Sequence, residues 1–123
     1  MKWIFLFLAG GVGTMARYLL SGVVYQSFGS RFPYGTLMIN VLGCFLIGFL
    51  VALSQEKVVM SDNVKLFLII GFLGAFTTFS TFIFETASLI RTGQSLAAFF
   101  NVLISVVIGF LFFELGFFLG EIV

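Results

Sequence analysis

Apolar residues run almost unbroken through four stretches, roughly 3–25, 34–54, 64–90 and 96–119. Most of the charges gather between them, in the connections SFGSRFP, QEKVVMSDN and RTGQS, which also hold the only proline, Pro33. Each stretch reaches the ~20 residues that a helix needs to cross about 30 Å of hydrocarbon at about 1.5 Å per residue. With no water to bond the backbone there, helices are the natural spanning form. The period-two alternation of a membrane barrel is not seen. The pattern predicts an all-α membrane protein, one four-helix transmembrane domain over 1–123.

Composition agrees. The chain is 61% hydrophobic and 9% charged, with a mean hydropathy of +1.23. A soluble domain carries about 25% charged residues, so this chain cannot cover a water-facing surface. Lys2 before an apolar run resembles a signal peptide, but the run outlasts the roughly 7–15-residue signal core and carries Arg17, which predicts a retained helix. The single cysteine, Cys44, offers no disulfide framework, and the absence of histidine removes the usual zinc and proton-relay ligands. With no nucleophile beside a base either, an enzyme is not expected.

Four spans put both termini on one side, side A. Lys2, Lys57 and Lys65 fall at side A, Arg31 and Arg91 at side B, with Arg17 some way inside the B end of the first helix. Orientation follows a Lys/Arg excess, and this chain has almost none. Two readings stay open: one or two charges set a single orientation, or the chain inserts both ways and forms an antiparallel dimer about a two-fold axis in the membrane plane. Gly10, Gly11, Gly13, Gly43, Gly48 and the Gly116/Gly120 pair would let helix backbones approach closely.

The densest polar cluster lies where the grease should be deepest. In GFLGAFTTFSTFIFE, residues 71–85, the midpoint of stretch 64–90 is Thr77. Asn40 precedes the centre of its helix by about four residues, or ~6 Å toward side B. Arg17, Phe79, Phe82, Asn101 and Ser105 also fall on the B side of centre. Thr36 and Asn40, like Asn101 and Ser105, are spaced i, i+4 on one face, and Thr78, Thr81 and Glu85 form a stripe beside Phe79 and Phe82. Single hydroxyls in membrane helices often bond their own backbone, but polar groups gathered at matching depth describe a path for a small polar solute or ion. The midplane lacks the carboxylate of a cation path, whereas amide, hydroxyl and guanidinium donors serve an anion, as does the electropositive edge of a phenyl ring.

Gly71, Gly74 and the β-branched Thr77 and Thr78 weaken a helix locally. Two outcomes are open: an unbroken helix with threonine back-bonding, or a break that frees carbonyls for a cation such as Na⁺.

These residues resemble a known family. Gly13 to Arg17 as GxxxR, PYGTLMINVLGCFLIG at 33–48, GFLGAFTTFSTF at 71–82 and NVLISVVIG at 101–109 look like the small fluoride channels, Fluc or CrcB. The similarity spans essentially the whole chain. It implies an antiparallel, dual-topology homodimer in a prokaryotic plasma membrane, with helix 3 broken near the midplane. It also implies passive, selective fluoride export through two pores per dimer. Phe79 and Phe82 match the pore phenylalanines, Asn40 the pore asparagine, and Ser80, Thr81 and Ser105 the hydroxyls of the polar track, which Thr36 would extend. Gly74 and Thr77 match positions whose backbone carbonyls hold a structural Na⁺ on the dimer axis. Arg17 and Glu85 match a helix-1 arginine and a helix-3 glutamate, and at Asn101 some relatives carry tyrosine. The main rival, a dual-topology proton-coupled multidrug exporter, would need a carboxylate in helix 1, where this chain has Arg17. A purely structural bundle subunit is a third reading, in which polar substitutions change assembly and leave ion flux untouched.

Overall fold

The computed structural model describes residues 1–56 and 60–123; Lys57, counted above among the side-A charges, lies outside the described residues. Among the described residues, four helices are long and apolar enough to cross a membrane: Lys2–Phe28, Tyr34–Gln55, Asp62–Arg91 and Ser95–Ile122. They outrun the apolar stretches because a helix continues past the hydrocarbon until a backbone feature stops it. Helix α1 (Lys2–Phe28) ends at Gly29, whose φ of 80° turns the chain while its N–H still reaches the Tyr25 carbonyl. Gly93, at φ 78°, closes the third span in the same region of backbone space. There the Gln94 N–H donates to the Leu89 carbonyl and the Gly93 N–H to that of Ile90, a Schellman closure.

Helix α2 (Tyr34–Glu56) is the central element. It packs closely against α5 (Ser95–Ile122), and glycine on each helix makes the approach possible. A Cβ added at Gly48 would strike the Phe113 carbonyl oxygen, and one at Gly116 the Phe45 carbonyl oxygen. At Gly120 a Cβ would lie 2.7 Å from the Phe49 carbonyl oxygen. The Gly116/Gly120 pair is therefore consumed inside the chain. The buried Ile39, Leu73 and Phe76 form the core, wrapped by Ala16, Leu20, Leu42 and Leu46.

The third span is not uniform. Helix α3, residues 62–76, starts as an α-helical turn (Asp62–Lys65) capped by Ser61, continues as a π-helix over Leu66–Leu73 and closes as an α-turn over Gly74–Phe76. Thr77 (φ −81°, ψ 158°) and Thr78 (φ −151°, ψ 115°) are extended, and α4 (Phe79–Arg91) begins after them. The π stretch packs on α1, where a Cβ at Gly13 would strike the Phe72 carbonyl oxygen and the Gly71 position lies against Ala9.

Candidate ion pathway

Backbone hydrogen bonds decide the geometry at Thr77 and Thr78. An uninterrupted helix would aim the Thr78 N–H at the Gly74 carbonyl. Instead that N–H donates to Asn40 Oδ1 at 2.8 Å, while Asn40 Nδ2 donates to the Thr78 carbonyl at 3.0 Å. One side chain on α2 thus replaces the backbone acceptor of the Thr78 N–H and adds a donor to its carbonyl. Thr77 turns inward, its hydroxyl and its N–H both donating to the Leu73 carbonyl at 2.9 and 3.0 Å. Gly43 makes room for it, since a Cβ there would strike Thr77 Cγ2. Thr78 caps α4: its Oγ1 accepts from the Thr81 N–H at 3.3 Å and lies 3.0 Å from Thr81 Oγ1. The Gly74 and Thr77 carbonyls consequently lose the two donors, Thr78 and Thr81 N–H, that a continuous helix would give them.

Two cavities meet at Thr78. The first, about 420 Å³, is lined by Asn40, Gly74, Thr77, Phe79, Phe82 and Ser105. The Phe79 and Phe82 rings stand 5.8 Å apart, tilted by 44°. Phe82 is buried, whereas Phe79 is 75% exposed and projects from the chain. The Ser105 Oγ is buried and has no hydrogen-bond partner among the described residues. The second cavity, about 280 Å³, lies on the other side of Thr78 and is lined by Arg17, Thr36, Thr81 and Glu85. The expected pathway residues thus fall into an aromatic group and a hydroxyl-and-charge group.

Glu85 lines the second cavity. Tyr25 Oη and Thr36 Oγ1 both donate to its Oε1 at 2.9 Å, and its Oε2 is buried without a partner among the described residues. Beyond lies a third cavity of about 460 Å³, lined by Tyr25, Arg31, Glu85, Ser88, Thr92 and Gln94. Tyr25 and Glu85 line both spaces and form the wall between them.

Two expected residues stand apart. Asn101 is 1% exposed, and its Nδ2 donates to Thr86 Oγ1 at 2.9 Å, tying α5 to α4. Ser80 is exposed and lines none of these three cavities. Sequence reasoning missed Thr14, Tyr18, Ser21 and Tyr25, which line the second cavity with Arg17. The signal was available: the five occupy one helix face, at offsets of three and four residues.

The family model described as "CrcB-like protein, Camphor Resistance (CrcB)" matches residues 4–117. A protein of Desulforapulum autotrophicum named "Fluoride-specific ion channel FluC" is 43% identical over 122 residues, covering 99% of this chain and 98% of its own. A Hydrogenobaculum protein of the same name is 48% identical over 120 residues, 98% of either chain. One from Geobacter sulfurreducens reaches 52% over 97 residues, 79% of this chain and 78% of its own.

Proposed function

The chain belongs to the CrcB-like family, and from that premise we propose that it is a fluoride-selective channel of a prokaryotic plasma membrane. It mediates passive fluoride export, lowers cytoplasmic fluoride and confers fluoride resistance. The observation that carries the reading is the junction at Thr78, where an aromatic cavity and a donor-rich cavity meet inside an otherwise apolar bundle. The names of the relatives supply the ion.

The chemistry of the lining suits fluoride. The ion is small, strongly hydrated and a strong acceptor, so a path must replace its water with donors. Ser105, Thr81 and Thr36 offer hydroxyls, Arg17 a guanidinium, and Asn40 Nδ2 the one hydrogen left after its bond to Thr78. Phe79 and Phe82 present ring edges, which are electropositive. Chloride, larger, is rejected by the narrow aperture between rings and amide. Asn101 acts on this pathway from its margin, through the Thr86 contact behind Phe82.

The working unit in this reading is an antiparallel, dual-topology homodimer with helix 3 broken near the midplane. Its support is the near balance of Lys and Arg between the two sides and the outward projection of Phe79 and Gly74 at mid-membrane depth, where a second copy would cover them. The Gly74 and Thr77 carbonyls, stripped of helical donors, are hard oxygen ligands that fit Na⁺. Those two residues would hold it, and the ion would supply the positive charge that carbonyls otherwise lack in hydrocarbon. Helix α1 carries no carboxylate to couple protons to a drug, so the exporter alternative has no support.

The deciding experiment is fluoride efflux from liposomes containing the purified protein, read with a fluoride electrode beside a chloride control. Fast fluoride release without chloride release is expected. Silence from folded, dimeric protein would overturn the reading.

A further inference from the structure

Tyr25 lines the second and third cavities and bonds the charge at the wall between them. Its hydroxyl donates to Glu85 Oε1 at 2.9 Å, and the same oxygen accepts from Thr36 at 2.9 Å. The ring is seated by backbone: Gly35 is buried beneath it, and a Cβ there would strike Tyr25 Cε2 and lie 2.8 Å from Cδ2. A phenol on a short, stiff side chain and a glycine floor leave little freedom in where that O–H points.

Glu85 lines both the second and the third cavity. Arg17 lines the former and Arg31 the latter, but the carboxylate takes its hydrogen bonds from hydroxyls. A carboxylate free to swing would be drawn toward either guanidinium. It would then cancel a cation that an anion needs and set a negative charge in the passage.

Resting on the fluoride-channel reading, we propose that Tyr25 is a positioning residue. It pins Glu85 to the wall between the two cavities, so that Arg17 and Arg31 stay free for the permeating anion. The charged groups that line these two cavities with Glu85 are Arg17 and Arg31.

The test is fluoride current through the full-length protein in planar bilayers at neutral pH. Tyr25→Phe keeps the ring on Gly35 and removes only the donor. Its current at neutral pH falls by about tenfold, the scale of one hydrogen bond to a charged group. Adding Tyr25→Phe to Glu85→Gln, which leaves no charge to swing, costs no further current. Should Tyr25→Phe fail to fold, Thr36→Val removes the other donor to the same oxygen and gives the same loss, again absent in the Glu85→Gln background. A folded variant whose current matches wild type, or falls equally with and without Glu85→Gln, overturns the assignment. Absence of wild-type current overturns the channel reading instead.

Discussion

Asn40 and Thr78 form a closed two-bond pair: the amide oxygen accepts the Thr78 N–H at 2.8 Å and the amide nitrogen donates to the Thr78 carbonyl at 3.0 Å. Asparagine can do this because it carries an acceptor and a donor on one flat group. Asn40→Asp keeps the acceptor and places a second oxygen against a carbonyl. Loss of the pair leaves the Thr78 N–H, on a buried residue, without its partner, at about 1–3 kcal/mol. The substitution is expected to lower thermal stability in detergent and to abolish fluoride efflux, and Asn40→Ala to destabilise similarly. Wild-type stability in both would remove the clasp from the account.

The α2–α5 contact makes a packing prediction. Gly116→Ala drives a methyl group into the Phe45 carbonyl, and Gly48→Ala one into that of Phe113. Overpacking of this kind costs about 1–3 kcal/mol. Gly22→Ala meets no atom within 4 Å and serves as the control, with the helix gaining rather than losing by the exchange. Thermal denaturation in detergent should order the three as Gly22→Ala above Gly48→Ala and Gly116→Ala.

Phe79 and Phe82 differ in what their loss would do. Phe82 is buried and Phe79 is 75% exposed, so Phe79→Ile costs the chain little packing. Its expected effect is on flux: fluoride efflux from liposomes falls by about tenfold or more, the scale of losing aromatic contacts of ~1.5 kcal/mol, while the protein elutes as wild type does. Unchanged efflux would exclude the ring from the path.

Asn101 should behave as a strut. Asn101→Leu removes the donor to Thr86 Oγ1, which keeps its own bond to the Phe82 carbonyl at 2.8 Å. Interhelical bonds of this type average about 0.6 kcal/mol, so a small loss of thermal stability is expected with selectivity over chloride intact. A gain of chloride flux would place Asn101 in the passage itself.

Sodium depletion tests the carbonyl site. Purification and reconstitution in K⁺ or N-methylglucamine salts should lower fluoride efflux, and restoring Na⁺ should return it. Efflux indifferent to the cation present would remove Na⁺ from the proposal.

What the sequence revealed depended on the range of the interactions involved. Four spans were legible because length and hydropathy are local, as was the weakness at Gly74, Thr77 and Thr78. Local rules could not say that Asn40 bonds the Thr78 backbone, a contact across 38 residues. Depth and i, i+4 spacing grouped Asn101 with Ser105, but a helix face is wide enough for one to bond Thr86 while the other lines the first cavity. Tyr25 was passed over because its aromatic body fits an apolar run, and only the fold shows its hydroxyl against Glu85. The π-helix had no signal of its own, since LFLIIGFL reads as ordinary apolar helix.

That segment, Leu66–Leu73, sits between the Ser61 cap and the extended pair Thr77–Thr78. A π-helix closes its hydrogen bonds over five residues instead of four, so it acts as a spacer whose winding sets the angle at which the chain leaves it. Apart from Gly71, seated against Ala9, and the core residue Leu73, its side chains are apolar and interchangeable in kind, but its residue count is not. One residue more or fewer would rotate Thr78 away from Asn40 and leave every downstream side chain out of phase with the rest of the bundle. In this stretch, the genetic changes to fear are insertions and deletions; conservative replacements should pass almost unnoticed.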